Sequence, residues 1–266
     1  MFTKRLMSGI ILVILAIIIV SRGGVLLYGT TLLISLIGMF ELYRVLKLER
    51  TLLGAVGYLT AVSYYAIVWY EGQEHVTLMA IAALMVLMGL YVFRFPRYKT
   101  EEVTAAFFGV FYVAVMLSYL YQVRAMTDGR YLVWLIFLSS WGCDTSAYCA
   151  GRLFGKHKLA PVLSPKKTIE GAVGGVAGAA LLGGVFAAAF SGHMISVAEP
   201  VAACAIACAI AAVISQVGDL AASAIKRNHN IKDYGHLIPG HGGILDRFDS
   251  MLFTAPAIYF ALTFLG

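Results

Sequence analysis

The sequence has 266 residues, of which 61% are hydrophobic and 13% are charged, and its mean hydropathy is +0.85. Because water-soluble domains carry about 25% charged residues, this composition excludes a soluble globular protein and favours a protein embedded in a membrane. The formal net charge of +6 calls for no nucleic-acid partner, since basic loops that face anionic lipid account for most of it.

Apolar segments long enough to cross a bilayer follow one another along the whole chain. A spanning helix takes about 20 apolar residues, and by this criterion we predict an all-α integral membrane protein with about nine transmembrane helices. Their approximate bounds are 6–21, 24–46, 52–70, 76–93, 103–123, 131–151, 171–191, 197–222 and 248–265. The first segment is short, and we expect it to be tilted or tightly paired with the second.

The basic residues give an independent test of this topology. With nine spans and a cytoplasmic N-terminus, all but three of the 20 lysine and arginine residues fall on the cytoplasmic side, where such residues concentrate. The exceptions are Arg22, Arg124 and Arg130. We therefore predict a multi-pass protein of the cell's inner (plasma) membrane with its N-terminus in the cytoplasm and its C-terminus outside. The two longest polar loops, 152–170 and 226–247, then lie in the cytoplasm.

The two parts of the chain differ in the polar residues that they carry. Residues 1–100 contain apolar spans and short basic loops, so we predict a structural or dimer-forming role for them, and a homodimer is one expected assembly. Residues 101–266 contain both long polar loops, and we expect the catalytic helices there.

The seventh span is unusually rich in glycine and alanine. Gly171 and Gly175, and likewise Gly174 and Gly178, are pairs of small residues four positions apart. Such pairs let helix backbones approach each other closely in lipid. We therefore predict tight helix packing along this span, while a role in shaping a groove for lipid entry is the alternative.

Four aspartates stand out, because ionisable side chains in a membrane span are costly and usually functional. Asp144 lies in the sixth span and Asp219 in the eighth, each close to the basic cytoplasmic end of its span. Asp246 and Asp249 open the ninth span and, three residues apart, share one helix face. We expect all four near the cytoplasmic surface around a cation, and oxygen ligands favour Mg²⁺ or Mn²⁺. Helix capping is the alternative for Asp246 or Asp249.

Basic and glycine-rich segments of the two cytoplasmic loops are suited to phosphate groups. Glycines before a helix let backbone N–H groups approach an anion, which the helix dipole also favours. The candidate phosphate-binding residues are Ser223, Lys226, Arg227, Lys232, His241, Gly242, Gly243 and Arg247 in one loop and Lys166, Lys167 and Thr168 in the other. Together with a carboxylate-bound cation, they indicate phosphoryl chemistry on a polyphosphate. The alternative for Lys166 and Lys167 is an ordinary topogenic charge.

One of these loops carries a long pattern of polar residues. The segment from Ser223 to Asp249 reads SAIKRNHNIKDYGHLIPGHGGILDRFD, and it resembles the signature of the phosphatidate cytidylyltransferases, also called CDP-diacylglycerol synthases. The matching positions are Ser223, Lys226, Arg227, Lys232, Asp233, Gly235, Pro239, His241, Gly242, Gly243, Asp246, Arg247 and Asp249. The segment from Asp144 to Gly171 and the VGDL around Asp219 also look like that family. The N-terminal half matches only as a set of apolar spans.

The resemblance implies a metal-dependent nucleotidyltransferase that converts CTP and phosphatidate into CDP-diacylglycerol and pyrophosphate. The reaction would take place at the cytoplasmic membrane face, and membrane lipids would surround the protein. It implies Mg²⁺ as cofactor, with one or two cations. The metal ligands expected are Asp219, Asp246 and Asp249. Asp144 is expected either as a further ligand or as a neighbour that supports the ligands without touching the cation. The catalytic residues expected are Asp219, Asp246, Asp249, Lys226 and His241. The other loop residues would bind the phosphates of the two substrates.

Three other functions stay open at this point. An ion-coupled transporter also carries intramembrane carboxylates and broken helices, but its site lies near the bilayer midplane, whereas these carboxylates lie near one surface. A CTP-dependent lipid kinase would phosphorylate an alcohol rather than condense with a phosphate. A CDP-alcohol phosphotransferase would carry a D-G-x-x-A-R type motif, which this sequence lacks.

Overall fold

The structure of the protein, a computed structural model, describes residues 2–70, 73–238 and 242–265. Most of these residues are helical. The helices are α1 (Phe2–Arg22), α2 (Gly24–Val45), α3 (Leu52–Trp69), α4 (Val76–Phe93), α5 (Thr100–Gly109), α6 (Met116–Ala125), α7 (Gly129–Leu132), α8 (Trp134–Phe137), α9 (Cys143–Phe154), α10 (Ile169–Phe190), α11 (Pro200–Asn228) and α12 (Leu245–Leu265). Two π-helical turns, Val110–Val115 and Leu138–Gly142, interrupt this series.

The helices confirm an all-α, multi-pass membrane protein. Within the described residues, seven helical segments are long and apolar enough to cross a membrane. One of them, Thr100–Ala125, joins α5 and α6 through the first π-helical turn. The predicted first span lies in α1, whose apolar stretch Gly9–Arg22 is shorter than the others. The predicted sixth span, 131–151, is divided among α7, α8, the second π-helical turn and α9.

The chain forms two compact units, and neither is continuous in sequence. Unit 1 consists of Met1–Leu12, Val25–Ser118 and Asp233–Arg247. Unit 2 consists of Val13–Gly24, Tyr119–Lys232 and Phe248–Gly266. Two of the predicted site aspartates therefore fall into different units, although both lie on α12. Asp246 belongs to unit 1 and Asp249 to unit 2.

Unit 1 packs around Tyr43, whose hydroxyl group is hydrogen-bonded inside an apolar core. Tyr43 is fully buried, and its hydroxyl donates to the Ala106 carbonyl at 2.5 Å. A Cβ atom at Gly57 or Gly109 would collide with the Tyr43 ring, so both glycines make room for it. Because an unpaired hydroxyl in an apolar environment is costly, this bond fixes how α2 packs against α5, and the space at Gly57 lets α3 approach the same ring.

Unit 2 is organised by close contacts of α9, α10 and α11. A Cβ atom at Gly174 would collide with Ala150, and one at Gly178 would collide with Ser146. At Gly175 it would lie 2.9 Å from the Cys143 sulfur. Small residues on α10 therefore bring its backbone against α9, as small-residue pairs do in membranes. This confirms the predicted tight packing of the seventh span.

A short β-hairpin follows α9, where the sequence predicted only a polar loop. Strands β1 (Lys158–Ala160) and β2 (Ser164–Thr168) pair antiparallel, with Lys158 opposite Thr168. The hairpin ends where α10 begins, because the Thr168 hydroxyl accepts a hydrogen bond from the Gly171 amide at 3.1 Å and caps the helix. Through this cap, the hairpin is attached directly to the start of α10.

Candidate active site

A cavity of about 340 Å³ opens in unit 2 between α9, the hairpin and the start of α10. Its walls combine one carboxylate with several cationic and hydrogen-bonding side chains. The polar residues that line it are Asp144, Tyr148, Arg152, Lys166, Lys167, Thr168 and Gln216. A concave surface with a few convergent polar groups is the usual form of a ligand site. Three of the residues predicted from the 152–170 loop, Lys166, Lys167 and Thr168, thus meet at one cavity.

The hairpin that carries these lysines is fixed to α10 by Glu170. Its carboxylate accepts hydrogen bonds from the backbone amides of Lys156, at 3.0 Å, and His157, at 3.2 Å. The His157 ring nitrogen Nδ1 lies 2.6 Å from the same carboxylate. Charged acceptors make stronger hydrogen bonds than neutral ones, and a carboxylate in the first turn is favoured by the helix dipole. Glu170 follows the hairpin in sequence and binds the two residues that precede it, so it ties the two ends of the hairpin together.

Asp144 stands at the second position of α9, directly after the π-helical turn Leu138–Gly142. Such turns are frequent at functional sites, because the wider turn re-aims the side chains around it. Asp144 is exposed along the cavity wall. Its carboxylate lies within electrostatic range of Asp219 and of Lys167. The structure therefore brings two of the four predicted aspartates into one electrostatic group.

Asp219 on α11 forms an ion pair with Lys167 of the hairpin. The side chains are 26% exposed for Lys167 and 29% for Asp219, so the pair is shielded from bulk solvent on most sides. Gln216, one turn earlier on α11, donates to the Ala172 carbonyl of α10 at 3.1 Å. These contacts hold the hairpin, α10 and α11 together at the cavity.

A second ion pair joins α11 to α12 within unit 2. The Lys226 ammonium lies 3.7 Å from the Asp249 carboxylate, and both side chains are 13% exposed. The next residue, Ser250, shares a hydrogen bond of 2.8 Å with the hydroxyl of Ser140 in the π-helical turn. Lys226 and Asp249, both predicted as site residues, are thus paired with each other.

The signature segment from Asp233 to Arg247 belongs to unit 1, where Asp246 organises the loop that precedes α12. Its Oδ2 atom accepts hydrogen bonds from the backbone amides of Tyr234, at 2.7 Å, and Gly243, at 3.0 Å. Gly242 has φ +84°, a conformation that L side chains rarely adopt, and a Cβ there would lie 3.0 Å from Asp246. The Gly243 amide, predicted to face a phosphate, is therefore used by a protein carboxylate.

Among the other signature residues predicted for the site, none that the structure describes lines the cavity of unit 2. Ser223 is half-buried on α11, and Arg227 near the end of that helix is exposed. Lys232 and Arg247 are exposed. His241 lies outside the described residues.

The donor set at the cavity fits a Mg²⁺ ion that is completed by substrate. Within the described part of the chain, no three His, Cys, Asp or Glu side chains form a group that could hold a metal. Mg²⁺ is commonly bound by one or two carboxylates plus substrate phosphates rather than by an all-protein cage. Asp144 lines the cavity and Asp219 pairs with Lys167, which also lines it, so two carboxylates lie beside cationic residues suited to phosphate.

Several residues at the site were missed by the sequence analysis. Gln216 and Tyr148 look like single polar residues in apolar helices, and Arg152 was counted only as a topogenic charge. Glu170 was not singled out, although an acidic residue in the first turn of a predicted helix is a recognisable sign of capping. Glu41 on α2 was also missed, because it stands close to the end of an apolar span. It accepts hydrogen bonds from the backbone at the start of α12.

Helices long and apolar enough to cross a membrane, together with a basic cavity that contains a carboxylate, indicate a membrane protein with a site for phosphate-bearing ligands. The chain belongs to the cytidylyltransferase family, whose model matches residues 3–265. It is 32% identical over 263 residues to the phosphatidate cytidylyltransferase of Staphylococcus saprophyticus, covering 96% of both chains. It is 31% identical over 269 residues to the phosphatidate cytidylyltransferase of Bacillus subtilis, covering 97% of both.

Proposed function

We propose that the protein transfers the cytidylyl group of CTP to phosphatidate, giving CDP-diacylglycerol and pyrophosphate. Family membership and the names of the two relatives support the reaction. The observation that carries the proposal to particular residues is the unit 2 cavity, where Asp144 meets Arg152, Lys166 and Lys167. A nucleotide and a lipid that both carry phosphate need this combination of cations and carboxylates.

The reaction needs no strong general base. A phosphate monoester has its second pKa near about 6 and is mostly ionised at neutral pH, so an oxygen of the phosphatidate headgroup can itself attack the α-phosphorus of CTP. The new bond joins that oxygen to the α-phosphorus. The bond from the α-phosphorus to the oxygen that bridges to the β-phosphorus breaks, and pyrophosphate leaves with the electron pair. The protein's contribution is therefore positioning and charge stabilisation.

The roles of the cavity residues follow from their contacts. We assign Lys166 and Arg152 to the phosphate oxygens of the substrates, because both line the cavity. Lys167 balances the charge of Asp219 and orients it. A Mg²⁺ ion bound by Asp144 and Asp219, when present, would neutralise negative charge that develops on the phosphates. A second cation would need carboxylates beyond these two.

Lys226, Asp249 and Asp246 are assigned mainly to positioning. Asp249 fixes the Lys226 ammonium within unit 2, where we propose that the lysine contacts a phosphate of one substrate. Asp246 binds the backbone amides of Tyr234 and Gly243. Both amides lie in the part of the signature that belongs to unit 1 and precedes α12, which we call the signature loop. Metal ligation by Asp246 and Asp249 stays a prediction, as does a catalytic role for His241.

We also propose the topology and location that the charge pattern favours. The protein would cross the inner (plasma) membrane nine times, with a cytoplasmic N-terminus, an outer C-terminus and the reaction at the cytoplasmic face. The arrangement is supported by the seven helices of sufficient length and by the one-sided distribution of lysine and arginine. The shorter apolar stretch of α1 and the divided sixth span would supply the other two crossings. Residues 1–100 would then serve as structural or dimer-forming helices.

The test is an assay with purified protein, CTP, phosphatidate and Mg²⁺ that measures lipid product and pyrophosphate together. The proposal predicts equal amounts of CDP-diacylglycerol and pyrophosphate. Formation of CDP and a phosphorylated lipid alcohol, when an alcohol is supplied, would favour a lipid kinase instead. Solute transport by reconstituted vesicles without turnover of CTP would favour a transporter. Excess EDTA should stop the reaction, and activity retained in EDTA would refute the role of the metal.

A further inference from the structure

Glu41 is a buried carboxylate near the end of α2 that is bound to the start of a distant helix. It is 4% exposed. Its Oε1 atom accepts a hydrogen bond from the Ile244 amide at 3.1 Å, and its Oε2 atom accepts one from the Leu245 amide at 2.8 Å. The residues lie more than 200 positions apart in sequence, and all belong to unit 1.

The loop before α12 is shaped to receive this carboxylate. A Cβ atom at Gly235 or Gly243 would collide with the Glu41 side chain, so glycine is required at both positions. One turn along α2 from Glu41, Arg44 donates to the Tyr234 carbonyl at 2.6 Å. Two side chains on the same face of α2 therefore hold the loop at both of its ends.

The physical reason for this arrangement is the unsatisfied start of α12. The first N–H groups of a helix have no partner inside the helix, and the helix dipole favours a negative charge there. A local Ser, Thr, Asp or Asn usually supplies the cap. Here Glu41 supplies it, and its own burial is tolerated because both oxygens are hydrogen-bonded.

We propose that Glu41 is a positioning residue for cytidylyl transfer, because it fixes the signature loop from unit 1. Glu41 holds the amides of Ile244 and Leu245, Asp246 holds those of Tyr234 and Gly243, and together the two carboxylates determine the backbone path from residue 242 to residue 246. That path sets where Asp246 and Arg247 stand. The inference rests on the proposed function, since the loop matters only if its residues serve the reaction.

The decisive variant is Glu41→Gln, which keeps the size of the side chain but replaces one accepting oxygen with an amide group that cannot accept. We expect kcat to fall by at least about tenfold, the loss that corresponds to one charge-assisted hydrogen bond, with a smaller change in KM for CTP. Glu41→Asp keeps the charge on a shorter side chain and should restore part of kcat. Glu101→Gln removes an exposed carboxylate and serves as the matched control.

A second measurement reports the loop directly and does not depend on activity. Limited trypsin digestion in detergent should cleave after Lys232 and Arg247 faster in Glu41→Gln than in the wild type or in Glu101→Gln. Wild-type kcat and wild-type cleavage in Glu41→Gln would overturn the inference. So would a loss of kcat with equally faster cleavage throughout the chain and no rescue by Glu41→Asp, because that pattern means general destabilisation.

The two parts of the inference fail separately. If the wild-type protein makes no CDP-diacylglycerol, the proposed function fails, while the cleavage comparison still tests whether Glu41 holds the loop. If the wild type is active and cleavage of the loop accelerates in Glu41→Gln without any change in kcat, the loop is held by Glu41 but the positioning role is refuted.

Discussion

Replacing Lys226 with methionine leaves the Asp249 carboxylate without the ammonium group that lies 3.7 Å away. Both side chains are only 13% exposed, so water compensates little. Two unit charges about 4 Å apart attract each other by about 4 kcal/mol at an effective dielectric constant of about 20. Desolvation of the lysine offsets part of this attraction. We therefore expect Lys226→Met to lower the free energy of unfolding by about 1–3 kcal/mol.

The double-mutant cycle isolates the pair. Asp249→Asn removes the other charge, and Lys226→Met combined with Asp249→Asn removes both, so the double variant should be more stable than the sum of the single effects predicts. Contacting charges couple by about 0.5–3 kcal/mol, and about 1 kcal/mol corresponds to roughly 2–4 °C in Tm for a chain of this size. Thermal unfolding of the four proteins in one detergent measures this, with Lys232→Met as an exposed control. Strictly additive changes in Tm would refute the pairing.

Three further outcomes follow from the contacts. Asp219→Asn should lower kcat by at least about a hundredfold, because electrostatic stabilisation of this kind is commonly worth that much; steady-state kinetics with near-wild-type turnover would exclude Asp219 from the site. Lys167→Met should reduce turnover through the same carboxylate, and kinetics unaffected by both substitutions would remove the pair from the mechanism. Gly178→Ala should lower Tm because its Cβ would collide with Ser146, whereas Gly89→Ala, which meets open space, should not; equal Tm values in the two variants would contradict the packing of α9 against α10.

The parts of the fold that could be predicted are those that depend on the local composition of the chain. Hydropathy alone locates most of the spans, because a membrane helix must be apolar along its whole length. The small residues of α10 predict its close packing, since only they let the backbones approach. Asp144 and Asp219 could be recognised because charges in apolar segments need a functional reason.

The parts that could not be predicted depend on contacts between distant residues. The π-helical turn that divides the sixth span does not change the hydropathy of that segment, so the sequence predicts a single helix there. The hairpin of residues 158–168 depends on a carboxylate, Glu170, that comes after it in the chain. The bond between Glu41 and the start of α12 joins residues more than 200 positions apart, and no local pattern indicates it. The functional division of the chain at residue 100 stays a prediction.

The most direct test of the account is the transfer of label from CTP carrying ³²P at the α-phosphate into lipid, with the wild type and Asp144→Asn compared at equal Mg²⁺ and phosphatidate. Asp144 lines the unit 2 cavity and lies within electrostatic range of Asp219. We expect labelled CDP-diacylglycerol from the wild type and a loss of at least about a hundredfold in the variant. Labelling of lipid at the wild-type rate by Asp144→Asn would contradict the assignment of the reaction to this cavity.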